Sequence, residues 1–225
     1  LTPASNSQTG MLKSRHTDDA LVEAGIDEAG RGCLWGPLMA AAVIWPASLS
    51  EEDQVLAAQI KDSKLLSAKK RKTLEAFIKR VATWSTGSVT AQEIDDLGMT
   101  RSNRLAFQRA ADGLSRRPER LIIDGILQLH SGLQEIVEPK ADGTYIAVAA
   151  ASILAKEARD TVVRELCAAD PSLESRYSIL SSKGYGTAAH RAAVKEHGML
   201  PGHRRLFLRK LLGHEHTPGG IDFLD

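Results

Sequence analysis

Residues 24–37, Ala-Gly-Ile-Asp-Glu-Ala-Gly-Arg-Gly-Cys-Leu-Trp-Gly-Pro, constrain this chain more than any other stretch. An apolar run reaches two adjacent carboxylates, Asp27 and Glu28, and a glycine-rich turn, Gly30-Arg31-Gly32, follows at once. Carboxylates at a strand end bind hard cations such as Mg²⁺ through oxygen. The backbone amides of a Gly-Arg-Gly turn, with an arginine beside them, suit phosphate. Neighbouring residues on a regular strand face opposite ways, so the two acids can share a site only if the strand is ending there. Gly30 and Gly32 supply that break.

The 225 residues fit one domain, or one domain with a small extension. At 43% hydrophobic and only 4% aromatic, the chain suits helices packed on a sheet better than an all-β sandwich. No apolar run is long enough to cross a bilayer, so no membrane partner is expected. Two cysteines, Cys33 and Cys167, make no disulfide framework, and no Cys or His spacing suits structural zinc. A reduced, cytoplasmic location is the expectation. Residues 1–19, hydroxyl-rich and without an acid before Asp18, read as a flexible leader, with organelle targeting as the alternative use.

Net charge is +1, but it is unevenly spread. Residues 61–72 carry six Lys or Arg against the single acid Asp62, and residues 183–210 carry seven against Glu196. A cationic rim around an acidic centre is what a metal-dependent enzyme acting on a polyanion needs. The run Lys69-Lys70-Arg71-Lys72 serves equally well as an ordinary solvated helix face.

Strands are expected over 21–27, 38–46, 83–90, 121–124 and 134–139, the second and last stopped by Pro46 and Pro139. Helices are expected over 68–81 behind an N-cap at Ser67, over 100–114, 146–169, 187–197 and 203–212. This alternation gives an α/β domain with a mixed central sheet flanked by helices. The catalytic domain is expected over 20–213, its helical C-terminal part over about 165–213, with a flexible tail over 214–225.

Asp124 ends the apolar run Leu-Ile-Ile-Asp, and Asp142 sits in the polar turn Lys-Ala-Asp-Gly. Either alone reads as a turn aspartate. Two divalent ions about 4 Å apart can flank a scissile phosphate, and such a pair needs carboxylates from several segments. Asp27, Glu28, Asp124 and Asp142 are the economical set.

These residues resemble the type 2 ribonuclease H group, the ribonuclease HII family. The resemblance covers about residues 22–210 and rests on five motifs in the family's order. They are GIDEAGRG at 25–32 with Gly36-Pro37, KDSKLLS at 61–67, IIDG at 122–125, AASILAKEARD at 150–160 and KGYGT at 183–187. It implies a ribonuclease H-like fold with a helical C-terminal extension. It also implies an endonuclease that cuts the RNA strand of RNA/DNA hybrids and incises duplex DNA 5′ to a single embedded ribonucleotide, leaving 3′-hydroxyl and 5′-phosphate ends. Catalytic carboxylates then fall on Asp27, Glu28, Asp124 and Asp142, holding two Mg²⁺ or Mn²⁺ ions. Asp160 competes for the fourth place, but a helical Arg-Asp pair more often forms local salt bridges.

By the same resemblance, Gly30, Arg31 and Gly32 read the ribose 2′-hydroxyl. Tyr185 packs on the neighbouring deoxynucleotide's sugar, Lys61, Ser63 and Lys64 contact phosphate, and Lys183 is a further phosphate candidate. Cys33 and Trp35 replace smaller residues or proline, and Leu206 stands where the family usually has serine. His190 and His203 read as structural or rim residues. A monomer is the default. Two rivals remain: a binding module that has lost catalysis, and another ribonuclease H-like nuclease.

Overall fold

The computed structural model describes residues 11–209 and 211–213. Its sheet has five strands in the order β3-β2-β1-β4-β5. They are β1 (Glu23–Ala29), β2 (Leu38–Ile44), β3 (Thr83–Val89), β4 (Arg120–Asp124) and β5 (Gln134–Glu138). β2 runs antiparallel to β1, whereas β4 lies parallel to β1 and to β5, so the sheet is mixed as expected. β2 is buried along its whole length, which explains its unbroken apolar run.

The helices are α1 (Glu51–Ala57), α2 (Ala68–Val81), α3 (Ala91–Leu97), α4 (Met99–Asp112), α5 (Ile146–Ala169), α6 (Ser172–Tyr177), α7 (Ile179–Ser182), α8 (Ala188–His197) and α9 (Arg205–Leu208). Ser67 caps α2 as the sequence predicts, its hydroxyl accepting from Lys70 N at 3.2 Å. The basic run on α2 divides. Lys69 and Lys72 are exposed, but Arg71 is buried and donates from Nε to Glu157 Oε1 at 2.7 Å. Arg71 also donates to Leu66 O at 2.8 Å, so this arginine ties α2 to α5.

The chain falls into two compact units. The larger comprises the chain through Ala29, Met39–Ser88 and Arg104–Ala158; the smaller comprises Gly30–Leu38, Val89–Asn103 and the chain from Arg159. The larger unit's core sets Ala149, Ala150, Ile153 and Leu154 of α5 against Leu74, Phe77 and Ile78 of α2 and Ala41 and Val43 of β2. Alanines let α5 approach the sheet closely, and Gly25 on β1 completes the fit. A Cβ at Gly25 would stand 2.4 Å from Ala147 C and Val148 N. The smaller unit has its own core, in which Leu34 and Trp35 pack with Val163, Tyr177, Ile179 and Val194.

Residues 1–10 and the tail expected over 214–225 lie outside the described residues. Within the rest of the expected leader, Lys13 N donates to Thr144 O at 2.8 Å, and Arg15 donates to Asp19 and Leu21. The helix expected over 203–212 is only four residues long, Arg205–Leu208. Asp95 of α3 takes the place of a side-chain cap there, its carboxylate accepting from Arg205 N and Leu206 N at 2.9 Å each.

Because the neighbour of Gly25 is backbone and not the end of a flexible side chain, Gly25→Ala forces strand and helix apart. We expect it to cost about 3 kcal/mol or more, read as a lower urea midpoint; an unchanged midpoint would show that α5 can yield.

Candidate active site

Strand register brings the first two acids together. β1 and β4 pair with Ile26 beside Ile123, so one step further along the same parallel ladder Asp27 stands beside Asp124. Residues level on adjacent parallel strands share a face of the sheet, about 4.8 Å apart. β4 ends at Asp124, whereas β1 continues to Ala29, paired only with β2. This differs from the expectation that β1 stops at the acids. Glu28 lies within the strand opposite Ala40, one residue beyond the level at which β4 ends. Its charge acts on Asp27 all the same, as the electrostatics below require.

Asp142 enters from a 3-10 turn, Ala141–Gly143, directly before α5. That turn is fastened to the strand acid, because Ala141 N donates to Asp124 Oδ1 at 2.7 Å. Asp27, on the other side of Asp124, is 7% exposed and accepts from Glu28 N at 2.7 Å. Burial raises its carboxyl well above the ordinary aspartate range, and the negative charges of Glu28, Asp124 and Asp142 raise it further. Asp142 is raised too, first by burial, then by Asp124 and Asp62. Lys64 sits in the same field. Burial works against its charge, but Asp62, Asp27, Asp142 and Asp124 together lift its pKa.

The donor set suits a hard divalent cation: carboxylate oxygens from three segments, with negative charge gathered where Asp27 is buried. A cation there would relieve the repulsion that raises Asp27. Among the described residues, no three His, Cys, Asp or Glu side chains stand close enough to ligate one ion as they lie.

Lys61 and Lys64 are exposed in the larger unit, whereas Ser63 is buried and its N–H donates to Ser152 Oγ at 3.2 Å. Asp62 caps the intervening 3-10 helix, Oδ1 accepting from Lys64 N at 2.9 Å. Asp62 is a second acid, after Asp124, whose charge acts on Asp142, and sequence reading passed over it as the lone acid in a basic run.

In the smaller unit, Gly30 opens the Gly-Arg-Gly turn at φ +90°, and Cys33 N closes on Gly30 O at 3.2 Å. Arg31 and Gly32 are exposed. Beneath the turn lies the fully buried Arg159, which donates to Pro37 O at 3.2 Å, Trp35 O at 2.9 Å and Lys183 O at 2.7 Å. Its guanidinium carbon is 5.8 Å from the centre of the Tyr185 ring. A Cβ on Gly30 would meet its side chain at 2.1 Å. Arg204, also fully buried, donates to Gly36 O at 3.0 Å and Arg31 O at 2.9 Å; burial lowers its pKa to about 10.

Two buried arginines thus build the turn from below. Sequence reading quoted the motif that contains Arg159 without singling the residue out. Tyr185 is 42% exposed and pairs through its backbone with Cys33. Asp160 is buried in the smaller unit, bound to Lys183 Nζ at 2.6 Å. Within the larger unit the structure brings Asp142 to Asp124, and within the smaller unit the Lys183 charge is directed at Asp160.

His190 and His203 are buried, with their Nε2 atoms 3.0 Å apart. His203 Nδ1 accepts from Leu200 N at 2.8 Å, so His203 donates from Nε2 to His190 Nε2. His190 then donates from Nδ1 to Tyr185 O at 2.9 Å. This neutral relay fixes the Tyr185 backbone. Burial and the neighbouring His190 lower His203 to about 4, and burial lowers His190.

The Ribonuclease HII family description matches residues 24–210. A ribonuclease HII of Parabacteroides distasonis is 44% identical over 188 residues, 83% of this chain and 89% of that protein. The crystal structure of ribonuclease H2 from Pyrococcus horikoshii OT3 superposes with a TM-score of 0.69 at 27% identity, covering 85% of this chain and 97% of that one. Bst ribonuclease HIII, solved in complex with Mn²⁺, shares the fold with a TM-score of 0.59 at 21% identity, over 78% of this chain and 70% of its own.

Unfolded histidine binds a proton near pH 6.5, which His203 in the fold resists until about pH 4. Its contribution to stability is therefore full above pH 6.5 and is lost as pH falls through about 4. Thermal unfolding of the wild type should show a steeper decline across that window than His203→Gln. Parallel declines would contradict the relay.

Proposed function

The chain belongs to the ribonuclease HII family, and from that membership and the acid cluster of the larger unit we propose a specific reaction for this type 2 ribonuclease H. It hydrolyses the RNA strand of RNA/DNA hybrids and incises duplex DNA 5′ to a single embedded ribonucleotide, leaving 3′-hydroxyl and 5′-phosphate ends. The fold is the ribonuclease H-like fold of its structural neighbours. The observation that carries the proposal is the stacking of acids across adjacent strands. Asp27 stands level with Asp124, and the Asp142 turn hangs from Asp124 by the 2.7 Å bond of Ala141 N.

Two divalent ions, Mg²⁺ or Mn²⁺, supply an activated water and neutralise charge at the scissile phosphate. Asp27 would be shared by the two ions, since it is buried and the charges of Glu28, Asp124 and Asp142 all act on it. Glu28 and Asp124 would hold one ion and Asp142 the other. No side chain need act as nucleophile, because the attacking group is water.

Recognition falls to other residues. Exposed Arg31 and Gly32, with Gly30, present backbone groups that can sense a 2′-hydroxyl, the atom that separates RNA from DNA. The exposed face of Tyr185 packs on the sugar of the neighbouring deoxynucleotide. Lys61, Ser63 and Lys64 contact phosphate, and Lys183 of the smaller unit, paired with Asp160, is a further phosphate candidate. No described helix is long and apolar enough to cross a membrane. We propose that the protein acts as a monomer.

Asp124→Asn keeps the shape of the site and removes a ligand charge. It should still shift a duplex carrying one ribonucleotide in a gel, with turnover in Mg²⁺ reduced more than about 100-fold; wild-type nicking would contradict the assignment. Replacing the single ribose by deoxyribose should abolish cutting. Equal cleavage of the all-DNA duplex would favour a different ribonuclease H-like nuclease, and band shift without nicking by the wild type would favour a mere binder.

A further inference from the structure

Residues 11–23 lie outside the matched family span of 24–210, yet they bind the chain directly after the Asp142 turn. Lys13 pairs in parallel with Tyr145: its N–H donates to Thr144 O at 2.8 Å, and its carbonyl accepts from Ile146 N at 3.0 Å. Ile146 is the first residue of α5, where backbone N–H groups have no partner within the helix. The Lys13 carbonyl satisfies one of them. Tyr145 adds side-chain bonds. Its hydroxyl donates to Glu138 Oε2 at 3.1 Å and lies 3.0 Å from His16 Nδ1.

The segment is anchored on both sides of these contacts. Leu12 packs against the core beneath α5. His16 N donates to Glu23 Oε2 at 2.9 Å, and Arg120 binds both Glu23 and Asp19. Between the anchors hangs the turn that carries Asp142. On one flank Ala141 N is held by Asp124, and on the other Thr144 O and Ile146 N are held by Lys13. Directly before the turn, Lys140 adopts a left-handed backbone at φ +63°. A non-glycine residue keeps such a conformation only when its surroundings impose it.

We propose that residues 11–23 form a clasp that sets the Asp142 turn against Asp124 for cation binding, with Lys13 and Tyr145 as its positioning residues. The proposal rests on the reading of the four acids as metal ligands. Lys13 acts through its backbone pair; its Nζ also lies 5.8 Å from the centre of the Tyr145 ring, a contact that Lys13→Ala removes while leaving the backbone pair in place.

Isothermal titration of the full chain with Mn²⁺, without nucleic acid, tests this. Lys13→Pro removes the N–H and should weaken Mn²⁺ binding about tenfold, the usual effect of losing a group that orients a ligand. Lys13→Ala keeps the backbone pair and should bind within about twofold of wild type. Tyr145→Phe should weaken binding to a lesser degree, with faster amide exchange over 141–146. Unchanged Mn²⁺ affinity in Lys13→Pro, even with a lower melting temperature, would overturn the clasp, as would an equal loss in Lys13→Ala. If Lys13→Pro does not fold, Tyr145→Phe decides, and unchanged affinity there overturns the proposal. Failure of the wild type itself to take up Mn²⁺ would overturn the four-acid reading and the clasp with it.

Discussion

Mutual repulsion among Asp27, Glu28, Asp124 and Asp142, with Asp27 buried in their midst, is the constraint to which the rest of the larger unit answers. Burying a carboxylate among carboxylates is costly, and the raised Asp27 and Asp142 carboxyls register that cost. The arrangement persists because each acid sits on backbone fixed for other reasons. Asp27 and Asp124 directly follow Ile26 and Ile123, the last pair of the ladder between two parallel strands at the middle of the sheet. α5, pressed close over Gly25 by its alanines, fixes where the Asp142 turn begins.

The smaller unit solves a different problem with the opposite charge. Its turn of Gly30, Arg31 and Gly32 leaves Arg31 and Gly32 at the surface, so the support must come from beneath. Arg159 and Arg204 give it by donating to carbonyls of Arg31, Trp35, Gly36, Pro37 and Lys183. A guanidinium with several fixed donors can gather carbonyls from separate loops in a way that lysine cannot. The histidine relay then holds the Tyr185 carbonyl. Neutral imidazoles suit this role, because a second proton would have no acceptor between the two facing nitrogens.

Much of this was legible in the chain. Helix α2 was bounded by Ser67, and α5 matched the expected span of 146–169, because caps and a long alanine-rich pattern leave strong marks. The short helices α1, α3, α6 and α7 were missed, each being too brief for a helical period to emerge. β1 runs two residues beyond its expected end because β2 pairs with Glu28 and Ala29, a long-range contact that no local signal reports. Among the acids, Asp27 and Glu28 were marked by the glycine turn after them. Asp142 had only a turn-like setting, and its link to Asp124 runs through the backbone of Ala141. Arg71, Arg159 and Arg204 were hidden for a common reason: arginine usually reads as surface, and only the fold reveals which ones are enclosed.

The central claim, that the four acids gather around a pair of cations, is tested most directly by anomalous diffraction from crystals of the protein grown with Mn²⁺. Two anomalous peaks about 4 Å apart, in contact with Asp27, Glu28, Asp124 and Asp142 oxygens, are the predicted result. Peaks placed elsewhere on the chain, with these four carboxylates touching none of them at saturating Mn²⁺, would contradict it.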